Sequence, residues 1–247
     1  MKIYVLSLKD SERRISFYQE NEFLSTNSVF FDAIEGRYLQ DSYIDNINKA
    51  TRRYKRNIGK NEIACADSHI AIYNDIIRNG IEWAIILEDD IVSDIKILNI
   101  NEQNLNKLNP ENLYILGGQE GLASKDMIIF SKKEKIEISK NIELIKTIAS
   151  SKYIYRTCGY LIHMHLAKKI IKQRKKSFFL ADDWNYLSKN KVINNIYLGN
   201  LITHPIDLAS SILQNERNSD NNQSLISKIK NSKLREYKIK LRKIIYG

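Results

Sequence analysis

Only two prolines and nine glycines occur in the 247 residues, and that scarcity argues against long linkers and low-complexity tracts. The two cysteines, Cys65 and Cys158, lie far apart and match no metal-binding spacing. Unpaired thiols of this kind belong in a reducing compartment. No apolar run approaches the length that spans a bilayer. Met1 leads straight into a strand-like Ile3-Tyr4-Val5-Leu6, too short and wrongly flanked for a signal peptide. A cytoplasmic protein is expected, soluble or peripheral to a membrane. Four histidines are few for a two-metal nuclease or phosphatase, whose ions need several converging His or Asp ligands.

An apolar fraction of 43% suits a globular core of one α/β domain. The formal charge is +10, which favours anionic partners such as nucleic acid, anionic lipid or a phosphorylated small molecule. Much of it sits at one end: residues 224–247 hold eight Lys or Arg and one Glu. There Ile226, Ile229, Leu234, Tyr237, Leu241, Ile244 and Ile245 recur at three- and four-residue steps, with one wider gap. That pattern predicts a basic amphipathic helix, able to pack on the domain, bind nucleic acid or lie on anionic lipid. An Asn-rich polar run at 215–223 precedes it, dividing a main domain at 1–214 from a tail at 215–247.

The chemistry gathers around Trp83-Ala84-Ile85-Ile86-Leu87-Glu88-Asp89-Asp90. An unalternating apolar run reads as a strand buried on both faces of a parallel sheet, and ligands of open α/β sheets bind beyond the carboxyl ends of such strands. Three consecutive carboxylates there repel one another and resist desolvation unless a cation compensates them. Hard oxygen donors suit Mg2+ or Mn2+, which in turn hold nucleotide phosphates. A solvated acidic turn is the plain alternative.

Around this strand, residues 2–8 predict a first strand, with Asp10 or Ser11 capping a helix whose first turn carries Arg13 and Arg14. Residues 30–34 predict a second strand, and 51–60 a basic loop that is mobile until an anion binds. Residues 61–80 predict a helix with Asn61 as N-cap and Gly80 at its end, with Glu62, Cys65 and His69 on one face. A strand runs into the turn Gly117-Gly118-Gln119-Glu120-Gly121, whose spacing is that of no phosphate-gripping loop. Residues 128–138 predict an edge or hairpin, and 153–164 a strand in which Gly159 marks a close backbone approach. A basic helix follows at 165–176, then Phe178-Phe179-Leu180-Ala181-Asp182-Asp183-Trp184, then a late strand over 194–201 ending near His204.

Taken in order, Asp10-Ser11-Glu12-Arg13-Arg14, Asn61-Glu62-Ile63-Ala64-Cys65-Ala66-Asp67-Ser68-His69, Leu87-Glu88-Asp89-Asp90, Gly159-Tyr160 and Asp182-Asp183-Trp184 resemble glycosyltransferase family 25. The similarity covers roughly residues 1–205 and departs at Ala64, where the family more often has Gly, and in the tail. The resemblance implies a GT-A-like nucleotide-sugar-binding α/β fold with a mostly parallel sheet and, here, a C-terminal basic helix. It implies an inverting transferase that moves a hexose from UDP-galactose, or UDP-glucose, to a lipooligosaccharide acceptor with Mn2+ or Mg2+. By the same resemblance Glu88 and Asp90 form the metal-side and ribose-side pair, with Asp89 facing the other way. Arg13, Arg14, Glu62, His69 and Asp89 attend the nucleotide, and Asp182 or Asp183 is the base, the other capping the next helix. No nucleic acid partner is expected, since three acids at a strand end repel phosphate. Metal-dependent nuclease or phosphatase activity, or a non-catalytic nucleic-acid-binding module, are the competing readings.

Overall fold

The computed structural model describes residues 1–204 and 225–246. Strand β1 (Lys2–Ser7) leads to helix α1 (Arg13–Glu20), then to β2 (Ser28–Asp32) and helices α2 (Asp41–Ala50) and α3 (Lys60–Arg78). The apolar run forms β3 (Trp83–Glu88), followed by the two-residue β4 (Val92–Ser93), α4 (Glu102–Leu105) and β5 (Leu113–Gly117). A hairpin of β6 (Phe130–Ser139) and β7 (Ile142–Thr147) precedes β8 (Gly159–His163), α5 (Met164–Arg174), α6 (Trp184–Lys189), β9 (Ile196–Thr203) and α7 (Leu225–Tyr246). The nine strands make one sheet in the order β2-β1-β3-β8-β5-β9-β7-β6, with β4 paired to β9.

Strands β2, β1, β3, β5 and β9 share one direction, while β8 lies reversed between β3 and β5. The sheet is therefore mostly parallel in strand direction, with the reversed β8 at its centre. Burial on both faces gives β3 its unalternating sequence: Ala84 and Ile86 enter one core with Ile72, Tyr73, Leu166 and Trp184. Trp83, Ile85 and Leu87 enter the other with Phe17, Leu105 and Tyr114. Side chains alternate across a strand, so each face holds one of the two cores. The close approach expected at Gly159 is real. A β-carbon there would collide with Ile202 on β9.

Several local expectations shift. The second strand runs over 28–32 rather than 30–34. Helix α3 takes Gly59 as its N-cap in place of Asn61, because the Glu62 carboxylate accepts the Gly59 N–H at 3.2 Å. The helix after β1 has Glu12 at its N-cap with no side-chain cap, although Ser11 Oγ accepts the Arg13 N–H at 3.2 Å. The basic stretch 51–60, expected to be mobile, is fastened by its own contacts. Arg53 donates to Ser177 Oγ at 3.0 Å and to the Phe178 carbonyl, with its guanidinium 3.9 Å from the Tyr186 ring centre. The edge expected around 128–138 is the β6–β7 hairpin at the end of the sheet.

The amphipathic helix at the C-terminus is α7, and the polar run at 215–223 lies outside the described residues. Arg242 fastens α7 to the domain, donating to the carbonyls of Met127 at 3.3 Å and Ala149 at 3.0 Å. Ile244 and Ile245 stay exposed, at 81% and 59%. No described helix is long and apolar enough to cross a membrane. Neither cysteine is in a disulfide among the described residues.

Candidate active site at the end of the central strand

Strand register assembles the site. Leu6 pairs with Glu88 across parallel β1 and β3, which sets Ser7 beside Asp89, and Ser7 Oγ donates to Asp89 Oδ2 at 2.6 Å. Leu87 pairs with Gly159 across antiparallel β3 and β8, so Cys158 lies beside Glu88, and the Glu88 N–H donates to the Cys158 carbonyl at 2.9 Å. Val92 pairs with Thr203 across β4 and β9, which brings His204 to Asp90 with Nε2 3.5 Å from Oδ2. Arg13, at the start of α1, places Nη1 3.5 Å from Asp89 Oδ1 and 3.4 Å from Asp90 Oδ2.

Asp89 and Asp90 take different partners, Ser7 for one and His204 for the other. β3 ends at Glu88, so strand alternation does not govern the next two residues, and Arg13 reaches both aspartates.

The electrostatics are crowded. Burial, then the negative charge of Asp90, pushes the Glu88 carboxyl up to about 7, even though the Thr157 hydroxyl donates to it. Burial also raises Asp89, against the Ser7 hydrogen bond and the Arg13 charge. Burial works the same way on Asp90, but the His204 hydrogen bond and charge, with Arg13, bring it below the ordinary carboxylate range. Asp90 Oδ1 is buried without a hydrogen-bond partner among the described residues. Ligand atoms of Glu88, Cys158 and His204 all lie within 4.8 Å of one another. A divalent cation fits the chemistry of this donor set, and its charge would offset the crowding of carboxylates that drives Glu88 upward.

The other sequence candidates divide. Arg14 serves the scaffold, donating to the carbonyls of Leu8 and Ser7 at 3.0 Å each and to Asp32 at 2.6 Å. Glu62 is buried and clamped by Arg56 through two hydrogen bonds of 2.6 and 2.7 Å, so it fixes the turn into α3. His69 is wholly buried, with Nδ1 2.7 Å from the Tyr160 hydroxyl, which is itself 2.7 Å from the Tyr73 hydroxyl. Burial lowers its pKa to about 4, which keeps it neutral. The structure does not bring Arg14, Glu62 or His69 to the carboxylate cluster.

The second acidic pair splits its duties. Asp183 caps α6, its Oδ1 accepting the Tyr186 N–H at 3.0 Å. Its Oδ2 accepts the Tyr54 hydroxyl at 2.7 Å and sits 3.7 Å from Arg53 Nε. Asp182 Oδ2 accepts the Arg156 N–H at 3.0 Å, and Arg156 adjoins Thr157 and Cys158. The segment 156–158 thus links Asp182 to the cluster. Arg156 also donates to the carbonyls of Gly118 and Glu120 at 2.9 and 3.0 Å, which ties in the Gly-rich turn.

Ser7, Thr157, Cys158 and His204 were not singled out from sequence. Their only signal is a position at or just beyond a strand end, and it becomes readable once the pairing of β3 with β8 and of β4 with β9 is known.

The description of glycosyltransferase family 25 (LPS biosynthesis protein) matches residues 1–184. A glycosyltransferase 25 family member of Aedes aegypti is 27% identical over 180 residues, covering 70% of this chain and 28% of that one. Procollagen galactosyltransferase 1 of Danio rerio is 22% identical over 169 residues, 64% of this chain and 26% of its own. A putative glycosyltransferase of Haemophilus influenzae is 23% identical over 241 residues, 92% of this chain and 82% of its own. The chain thus spans under a third of the insect and fish relatives. Among solved structures, a glycosyltransferase involved in the glycosylation of the major capsid of PBCV-1 aligns over 83% of this chain and 93% of its own, with TM-score 0.41 and 9% identity. The chain belongs to glycosyltransferase family 25. Its α/β architecture and mostly parallel sheet are those expected of the family.

Proposed function

We propose that the protein is an inverting, metal-assisted glycosyltransferase that moves galactose from UDP-galactose to a lipooligosaccharide or LPS saccharide, with UDP-glucose as the alternative donor. The observation that carries this is the buried β3 end, where Glu88, Asp89, Asp90, Arg13 and His204 converge in a family 25 chain. Galactose is favoured by the Danio rerio relative named a procollagen galactosyltransferase, and the LPS acceptor by the family's description.

Glu88 and Asp90 would hold Mn2+ or Mg2+, which supplies positive charge against the leaving diphosphate. Arg13, already shared between Asp89 and Asp90, is placed to bind a donor phosphate as well. Asp182 serves as the base: Oδ2 is fixed by the Arg156 N–H, while Oδ1 is engaged by none of the described residues. It takes the acceptor hydroxyl's proton as the oxygen attacks the anomeric carbon opposite the leaving group. The cap and the Tyr54 hydrogen bond, which engage both Asp183 oxygens, favour Asp182 over Asp183 for that role. Glu120 is the second choice of base, since its Oε2 is buried with no hydrogen-bond partner among the described residues.

The setting is cytoplasmic, at the inner face of a membrane. Helix α7 supports this by exposing Leu241, Ile244 and Ile245 among lysines. Nucleic acid is no partner. Co-sedimentation with anionic vesicles, lost in Ile244→Asp, tests the membrane contact. A mass-spectrometric screen of UDP-sugars with Mn2+ present tests the whole reading: UDP-hexose turnover is expected, and preferred turnover of a CMP- or GDP-sugar would refute it.

A further inference from the structure

We propose that Cys158 is a ligand of the cation held at the end of β3. Its thiol joins the Glu88 carboxylate and the His204 imidazole, so the site takes sulfur-accepting divalent ions, Co2+ and Zn2+ foremost, ahead of Mg2+. This rests on the reading of Glu88 as a metal ligand.

Three donors of different chemistry, one each of S, N and O, lie within 4.8 Å of one another. Tetrahedral ligands at roughly 2.0–2.3 Å from one ion stand about 3.3–3.8 Å apart, so the donors close on an ion by drawing together by up to about 1.5 Å. Each donor arrives from a different strand end. Cys158 is anchored where its carbonyl accepts the Glu88 N–H at 2.9 Å. His204 follows β9 and faces Asp90, with Nε2 3.5 Å from Oδ2.

The sulfur's place is also kept open from the far side. Gly118 has φ +79°, and a β-carbon there would stand 2.8 Å from Cys158 Cβ and 3.0 Å from Sγ. A side chain at 118 would drive the sulfur from its position beside Glu88.

Packing is the competing account, since a buried cysteine behaves as a small hydrophobe and Cys158 belongs to the second core. Packing explains its burial but not why its sulfur faces a carboxylate and an imidazole. The donor set decides which ions are favoured. Thiolate and imidazole suit Zn2+ and Co2+, whereas an all-oxygen set suits Mg2+, and affinities generally rise from Mn2+ through Co2+. Availability in the cell then decides which ion works there. On binding, the thiol loses its proton to solvent and the thiolate enters the coordination shell.

Co2+ titration of the full chain, without donor or acceptor, tests this by absorbance and calorimetry. The wild type should show a thiolate-to-cobalt charge-transfer band in the near ultraviolet, and Cys65→Ser should keep it. Cys158→Ser and Cys158→Ala should lose the band and bind Co2+ and Zn2+ at least about tenfold more weakly, while Mg2+ affinity changes little. The wild-type spectrum decides even if a variant fails to fold. Co2+ binding by the wild type with no such band would make Cys158 a packing residue and leave Glu88 and Asp90 as metal ligands. Absence of binding by Co2+, Mn2+ and Mg2+ alike would overturn both the inference and the metal reading beneath it.

Discussion

The two acidic stretches look alike in sequence and differ in how their charge is met. Glu88-Asp89-Asp90 and Asp182-Asp183 each follow an apolar run. At the first, Glu88 is pushed up to about 7 by burial and by Asp90, and Asp90 keeps a buried oxygen with no partner among the described residues. At the second, Asp183 has both oxygens engaged, by the α6 cap, Tyr54 and Arg53. Fully satisfied carboxylates stabilise structure, whereas crowded and orphaned ones await a ligand. Asp182 stands between the two cases, fixed at one oxygen by the segment that also carries Thr157 and Cys158.

The largest effect is expected at the first stretch. Asp90→Asn should lower transfer by at least about a thousandfold, as expected when several kcal/mol of charge stabilisation are lost, with the thermal melt nearly unchanged. Near wild-type turnover in a folded variant at limiting metal would erase the contrast.

Splitting the second stretch comes next. Asp182→Asn should lower kcat by about 10²–10⁴-fold with the donor Kd unchanged. Asp183→Ala should instead lose about 1–2 kcal/mol of stability, measured by denaturant unfolding, because it removes the cap. If both variants transfer sugar at wild-type rates, the base lies elsewhere, and Glu120→Gln is the next variant to assay.

A gentler probe uses a buried group outside both stretches. His69 has its pKa lowered from 6.5 to about 4 by burial. Above pH 6.5 it is neutral folded or unfolded, and stability is undiminished. As pH falls from 6.5 toward 4 the unfolded chain binds the proton first, and stability drops by up to about 3 kcal/mol. Unfolding free energies of wild type and His69→Gln should therefore converge as pH falls through that window. Parallel curves would mean that His69 is protonated in the folded protein, as a nucleotide-contacting histidine would be.

The apolar run of β3, the helix α3 and the acids at 88–90 were legible because local pattern and composition carry them. The division between Asp182 and Asp183 was legible as a principle, since adjacent side chains diverge, though not which residue would cap. Glu62 and His69 meet Arg56 and the Tyr160 hydroxyl in this structure, which sequence does not reveal: a helical face shows shared direction but not whether it meets ligand, Arg56 or core. Arg14 follows Arg13, yet it turns back onto the carbonyls of its own loop. Cys158 and His204 reach the carboxylates through strand pairings 70 or more residues apart, and no linear pattern encodes such register.

The most direct measurement of the central claim is UDP affinity by calorimetry, with Mn2+ and then with the metal chelated. If the β3 end binds a cation that holds the diphosphate, UDP affinity should fall at least about tenfold on chelation, and Asp90→Asn should bind UDP equally weakly under both conditions. Equal UDP affinity of the wild type with and without metal would contradict it.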